Sequence, residues 1–285
     1  MENVDLSSLR AVINCSEPMK HESHELFFEA FNQYGFQKSA LATSYAMAEY
    51  TFAVTQGGID EPVFVEKVDR DALMNDNIAK PEITGKPFVY MVSVGKPILH
   101  TKVIILDERG NALSDRYIGE IALQSNCMLT EYYNRPDITE KSFIDGWFLT
   151  GDYGYLFDGE LFVTGRKKDL VIIGGKNIYP QDLERLAFDV PGVHPGRVVA
   201  FGIFSREMGT EQVVMVAETD TDSELERNRI AQEIRKVVAH GSAIVLKKVY
   251  IVEKGWIIKT SSGKTARASN RDKFIKETSF VINEY

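Results

Sequence analysis

The stretch Tyr155-Leu-Phe-Asp158-Gly159-Glu-Leu161-Phe-Val163-Thr-Gly165-Arg166-Lys-Lys168-Asp169-Leu170-Val-Ile-Ile173 decides the architecture. Asp158-Gly159 interrupts a β-rich run as a hairpin turn, so residues 155–163 read as paired strand. Residues 165–169 are polar and charged, and they separate the strand around Leu161 from a second, buried-looking apolar run at 170–173. That junction is a candidate hinge between two domains.

Working outward on the N-terminal side, residues 103–106 and 118–123 are short and β-rich, so the middle of the chain reads as mostly antiparallel sheet. Earlier still, Leu26, Phe27, Ala30, Phe31 and Tyr34 recur at helical spacing and Gly35 follows, which predicts an amphipathic helix over 22–34. On the C-terminal side Pro180 opens a helix through Phe188, and strands are expected at 197–204 and 212–218. Ser223 and Glu226 form a capping box for a helix that carries Ile230, Ile234, Val237 and Val238 on one face and stops at Gly241. A strand at 244–252 and a basic terminal helix complete the pattern. The fold class is therefore α/β and α+β, with residues 1–165 in a larger, mostly β part and 166–285 in a small α+β domain. Residues 58–87 are the least regular segment.

The chain has 285 residues, 44% hydrophobic and 26% charged, enough for one to two domains. A net charge of −8 argues against a nucleic-acid groove, and basic residues cluster only near 166–168 and 254–276. The longest apolar runs, 170–173 and 198–204, fall far short of the roughly 20 residues a membrane span needs. Met1-Glu-Asn-Val-Asp5 lacks the basic-then-apolar pattern of a signal peptide, which makes the cytoplasm the default expectation. Cys15 and Cys127 are far apart, and only His21 and His24 of the five histidines are close, so no metal-ligand spacing emerges.

The polar segments carry the chemistry. Gly146-Trp-Phe-Leu-Thr150-Gly151-Asp152 is, on its own, a turn-rich strand end. It is followed by Gly165-Arg166-Lys-Lys168-Asp169, by Gly174-Gly175-Lys-Asn-Ile-Tyr-Pro180, and far downstream by Lys259-Thr-Ser-Ser-Gly-Lys264. Gly263-Lys264-Thr265 looks like the end of a P-loop, but that motif needs a glycine five residues before Gly263, where Ile258 stands.

These four segments in this order, with Tyr45-Ala46-Met-Ala-Glu49 ahead of them, resemble the core motifs of the adenylate-forming superfamily. That superfamily includes acyl-CoA synthetases, peptide-synthetase adenylation domains and luciferases. Ala46 stands where the family has glycine, and its methyl is expected to crowd the backbone there. Residues 158–166 and 177–184 look most like those of the fatty acyl-AMP ligases. The 46 residues from Glu49 to Gly95 agree, being longer than expected for a CoA ligase and similar to the insertion of that branch. In the family the insertion is associated with failure to use free CoA, because it hinders the movement of the C-terminal domain.

The resemblance implies a reaction in two halves, in which a fatty carboxylate attacks the α-phosphate of ATP and the acyl-AMP then meets the thiol of an acyl carrier protein. It implies ATP and Mg²⁺ as cofactors, and a fatty acid and a carrier protein or domain as partners. Lys264 would bridge carboxylate and α-phosphate, with Ser261, Ser262 and Gly263 keeping its loop slim. Glu49 would hold Mg²⁺, and Tyr45 would lie against the adenine, whose pocket Ser16 would frame. Asp152 would accept the ribose hydroxyls and Arg166 would donate to the same sugar, while Lys168 would sit on the hinge. The family's phosphate-binding loop lies well upstream of the Tyr45 motif, and none of the 44 residues before Tyr45 forms one. The expectation is thus a fragment of a longer chain, a split gene product or a truncated relic. Three readings stay open: half of a fatty acyl-AMP ligase, half of an acyl-CoA ligase, or a truncated, non-catalytic protein that binds a nucleotide or partner.

Overall fold

The computed structural model describes residues 4–278. The chain divides into two compact units, Met1–Lys167 and Lys168–Tyr285. Arg166 and Lys167 stay with the first unit because acids there hold both: Arg166 Nε lies 3.1 Å from Asp152 Oδ1, and Lys167 Nζ 2.7 Å from Glu120 Oε2. No helix among the described residues is long and apolar enough to cross a membrane.

The first unit opens with a parallel strand pair, Val12–Cys15 and Leu41–Ser44, joined through the helix His21–Phe31. That helix ends earlier than the spacing predicts. Asn32–Tyr34 tightens into a 3-10 turn, and Gly35 then takes the left-handed conformation (φ 85°) that closes it. A five-stranded antiparallel sheet follows, in the order Glu160–Arg166, Trp147–Phe157, Gly119–Ser125, Thr101–Leu106, with Phe143–Ile144 paired to Trp147–Phe157. Asp158 and Gly159 both have positive φ (53° and 75°), as a two-residue hairpin turn whose twist matches its strands requires. Ile105, Ile121, Leu123 and Leu161 form one core under this sheet, together with Tyr45, Tyr50, Val54 and Val94.

The irregular segment 58–87 is more ordered than its composition suggests. Val65–Asp69 pairs antiparallel with Phe88–Val92, and a π-helical turn, Ala72–Asp76, lies between them. Val68, Leu73 and Ala79 are buried against Ile118, Tyr155 and Phe162, so the segment is a packed element and not a surface loop.

The second unit is α+β. Val198–Ser205 and Thr210–Thr219 are antiparallel, and Lys248–Glu253 adds parallel to the latter after the crossover helix Glu224–Ser242. Pro180–Phe188 and Arg267–Thr278 are its other helices, and Val199, Phe201, Val214, Val216, Trp256 and Phe274 share its core.

Several local expectations are corrected here. Residues 170–173 are not a buried run: Val171 is covered, but Ile172 is 50% exposed, because Val171–Ile173 belongs to a two-stranded ribbon with Lys176–Ile178. The capping box is half formed. Ser223 Oγ accepts from Glu226 N, but Glu226 spends its carboxylate on Arg229 and Ser223 N turns to Thr221 Oγ1. Gly241 lies inside the helix, which stops at left-handed Ala243 (φ 59°); a Cβ on Gly241 would fall 2.6 Å from a Leu186 methyl.

Candidate nucleotide site

Cys15 is in register with Ser44, so Ser16 and Tyr45 emerge together beyond the carboxyl ends of the two parallel strands, where α/β sheets place their ligands. Ser16 is exposed at φ 77°, and its hydroxyl lies 3.5 Å from Cys15 Sγ. Tyr45 turns inward and is 9% exposed. Its backbone N–H donates to Thr55 Oγ1 and its carbonyl accepts from Val54 N. Ala46 bridges Ala53 with φ outside the positive range, so the backbone there takes a conformation that does not require glycine.

Asp152 is 8% exposed and stands at the centre. Its Oδ2 accepts the Tyr45 hydroxyl at 2.6 Å, and its Oδ1 lies 3.1 Å from Arg166 Nε, the residue opposite it across the hairpin. Burial, and then the neighbouring Asp152 charge, hold the Tyr45 phenol well above the ordinary tyrosine range, so it stays a donor. An ionised carboxylate accepts through about four lone-pair positions, the chemistry that suits a ligand's hydroxyls.

Thr150-Gly151-Asp152 is not a strand end. It lies inside the eleven-residue strand Trp147–Phe157 as a bulge: Leu149 pairs with Ala122 and Tyr153 with Glu120, so three residues oppose Ile121 alone. Gly151 N donates to Glu120 Oε1 at 3.2 Å, Asp152 N to Thr150 Oγ1 at 3.1 Å, and Thr150 Oγ1 to the Ile121 carbonyl at 2.9 Å. Glu120 Oε2 takes Lys167, and this hydrogen bond raises the lysine's pKa.

Glu49 forms a separate pair. Tyr132 donates to its Oε1 at 3.0 Å, and Leu129 N donates to its backbone carbonyl at 2.8 Å, so one segment clamps both ends of the residue. Desolvation first, then the bond to Glu49, push the Tyr132 phenol up to about 12. The other carboxylate oxygen is the kind of hard donor that suits Mg²⁺.

The remaining predicted residues, Lys168 and Lys264, belong to the second unit. Lys168 is exposed in the 3-10 turn Lys167–Asp169, at the junction of the two units. Lys264 belongs to the second unit and is exposed on a turn closed by Thr260 N to Lys264 O (2.7 Å), with Gly263 at φ 85°. A cleft of about 560 Å³ on the first unit, lined by His21, His24, Lys38, Thr43, Ser93 and Glu160 among others, contains none of the predicted site residues. Glu120 and Tyr132 were not singled out from the sequence. A signal existed for Glu120, an acid inside the apolar run 118–123, since a buried carboxylate requires partners.

Comparison with known proteins finds similar chains in one enzyme family. The model of the AMP-binding enzyme family matches residues 1–133. The long-chain-fatty-acid–AMP ligase FadD32 of Mycobacterium marinum is 34% identical, the alignment covering 95% of this chain and 49% of that protein. The medium-chain-fatty-acid–acyl-carrier-protein ligase JamA of Moorena producens is also 34% identical, over 97% of this chain and 49% of that protein. A solved structure from work on fatty acyl-adenylate ligases of E. coli and L. pneumophila superposes with a TM-score of 0.88 at 29% identity, covering 98% of this chain and 49% of that one. Residues 1–133 thus match the AMP-binding enzyme family, and the chain is similar along most of its length to adenylate-forming ligases. Its relatives within that family include the fatty acyl-AMP ligases, and it spans about half the length of the curated relatives it matches.

Proposed function

We propose that this chain is the C-terminal half of a fatty acyl-AMP ligase, which activates a fatty acid with ATP and passes the acyl group to the thiol of an acyl carrier protein. The observation that carries this reading is the convergence of Tyr45 with Asp152 and Arg166, more than a hundred residues further along the sequence, on one hydrogen-bonded cluster.

In the first half-reaction a carboxylate oxygen attacks the α-phosphorus of ATP in line, the bond to the bridging oxygen breaks and pyrophosphate leaves. Charge builds on oxygen, so the protein contributes positioning and cationic stabilisation. Asp152 accepts the ribose hydroxyls, Arg166 donates to the same sugar, and Tyr45 and Ser16 border the adenine. Glu49 would hold Mg²⁺, which when bound neutralises charge on the phosphates. Lys264 supplies the cation that bridges carboxylate and α-phosphate. In the second half-reaction the thiol sulfur attacks the acyl carbon and AMP leaves. The packed hairpin of Val65–Asp69 and Phe88–Val92, in the region where the branch carries its insertion, favours a carrier protein over free CoA as acceptor.

The test is ATP/pyrophosphate exchange with a medium-chain fatty acid, measured on the chain joined to the portion of its relatives that it does not span. Exchange is expected, falling by about 10²-fold or more in Lys264→Ala, the scale of losing a stabiliser of developing charge. No exchange from the joined protein overturns the reading. Product formed as readily on free CoA as on a carrier protein moves the chain to the acyl-CoA ligases.

A further inference from the structure

Asp152 is aimed by a bulge, and a bulge has to be held. With three residues opposite one, the backbone N–H groups of Gly151 and Asp152 fall out of the ladder with Gly119–Ser125. Side chains take them instead: Thr150 its neighbour Asp152, and Glu120 the Gly151 N–H. Gly151 sits at φ 70° with open space where a Cβ would be, so it is there for its backbone conformation and not for close packing. Glu120 is 9% exposed, pairs across the sheet with Tyr153, the residue that ends the bulge, and commits its second oxygen to Lys167. Two consecutive cations thus serve two acids, Arg166 the bulge residue Asp152 and Lys167 the Glu120 of the strand opposite.

We propose that Glu120 is a positioning residue for Asp152: through the Gly151 N–H it fixes the bulge that turns Asp152 toward the nucleotide ribose, and through Lys167 it ties that bulge to the last residue of the first unit. The inference rests on the reading of Asp152 as the ribose acceptor. It also accounts for an acid at position 120 where an amide could accept the same N–H, because only the carboxylate also neutralises Lys167.

The test is calorimetric binding of AMP and of its dideoxyribose counterpart to the full chain. Wild type is expected to prefer AMP roughly tenfold or more, the scale of hydrogen bonds to a charged acceptor. In Glu120→Ala the preference falls below about threefold while affinity for the dideoxy nucleotide is unchanged, because only the ribose contacts depend on the bulge. Glu120→Gln, whose amide oxygen still accepts the Gly151 N–H, keeps most of the preference. An unchanged preference in Glu120→Ala, or an equal loss for both nucleotides, overturns the proposal. Should that variant unfold, Lys167→Met carries the test: Glu120 loses its cation and turns toward water, and a selective loss of about twofold or more is expected. A wild type that shows no ribose preference, or does not bind AMP, instead strikes the reading of Asp152 itself, and the proposal with it.

Discussion

At the scale of single residues, the site is built from acids that are each held at more than one point. Asp152 takes Tyr45 and Arg166, Glu120 takes Gly151 and Lys167, and Glu49 is gripped by Tyr132 and Leu129. The first set was singled out in the sequence through the motifs that resemble those of the adenylate-forming superfamily, since Thr150-Gly151-Asp152 on its own reads as a turn. Tyr132 was not, because nothing local distinguishes it from Tyr133, which is 89% exposed; only the fold carries it to Glu49 across 83 positions. Its bond has a pH signature. The Tyr132 phenol is raised from 10.0 to about 12, so the folded chain keeps the proton where the unfolded chain has lost it. That stabilisation is fully present below pH 10 and lost as pH rises through about 12. Urea midpoints of wild type and Tyr132→Phe should therefore differ at pH 9 and converge by pH 12; a difference constant over that window would show that the bond does not titrate there.

At the scale of elements, the regular pieces were legible where chemistry is local. Pro180 starts its helix, Asp158-Gly159 makes its turn, and Ser223 caps through its own hydroxyl. The hairpin within the irregular region was not, because its strands, Val-Glu-Lys-Val-Asp and Phe-Val-Tyr-Met-Val, do not alternate cleanly in both partners. In Phe88–Val92 the outward positions are the aromatic ones: Phe88 and Tyr90 are exposed while Val89 and Met91 pack against the core, and Lys67 lies over both rings. An amphipathic pattern inverted in this way reads as irregular until the partner strand is known. Burial separates a packed element from a loop. Leu73→Ala, at 5% exposure beside Tyr155 and Phe162, is expected to cost about 2–5 kcal/mol by chemical denaturation, whereas Ile83→Ala, at 53% exposure, should stay within about 0.5 kcal/mol. Equal and small effects at both positions would make the segment the surface loop its composition suggests.

At the scale of the whole molecule, the polar junction at 165–169 announced two units, and each described core cluster draws its residues from one of them. Strand order was beyond the sequence, because it depends on pairings between distant segments: Gly119–Ser125 joins Trp147–Phe157 across the intervening helix Pro136–Lys141, and Lys248–Glu253 returns to Thr210–Thr219 over a nineteen-residue helix. Separate cores predict separable stability, since clusters that share no residue can open as separate units. Ile234 is fully buried on the crossover helix of the second unit, so Ile234→Ala should cost that unit about 2–5 kcal/mol. Amide hydrogen exchange is the discriminating measurement. Protection should fall across Val198–Ser205, Thr210–Thr219 and Lys248–Glu253 and remain at its wild-type level in Gly119–Ser125 and Trp147–Phe157. A parallel loss in both sets of strands would mean that the two cores open as one cooperative body, and a hinge at Lys168 would then join parts that are not independently stable.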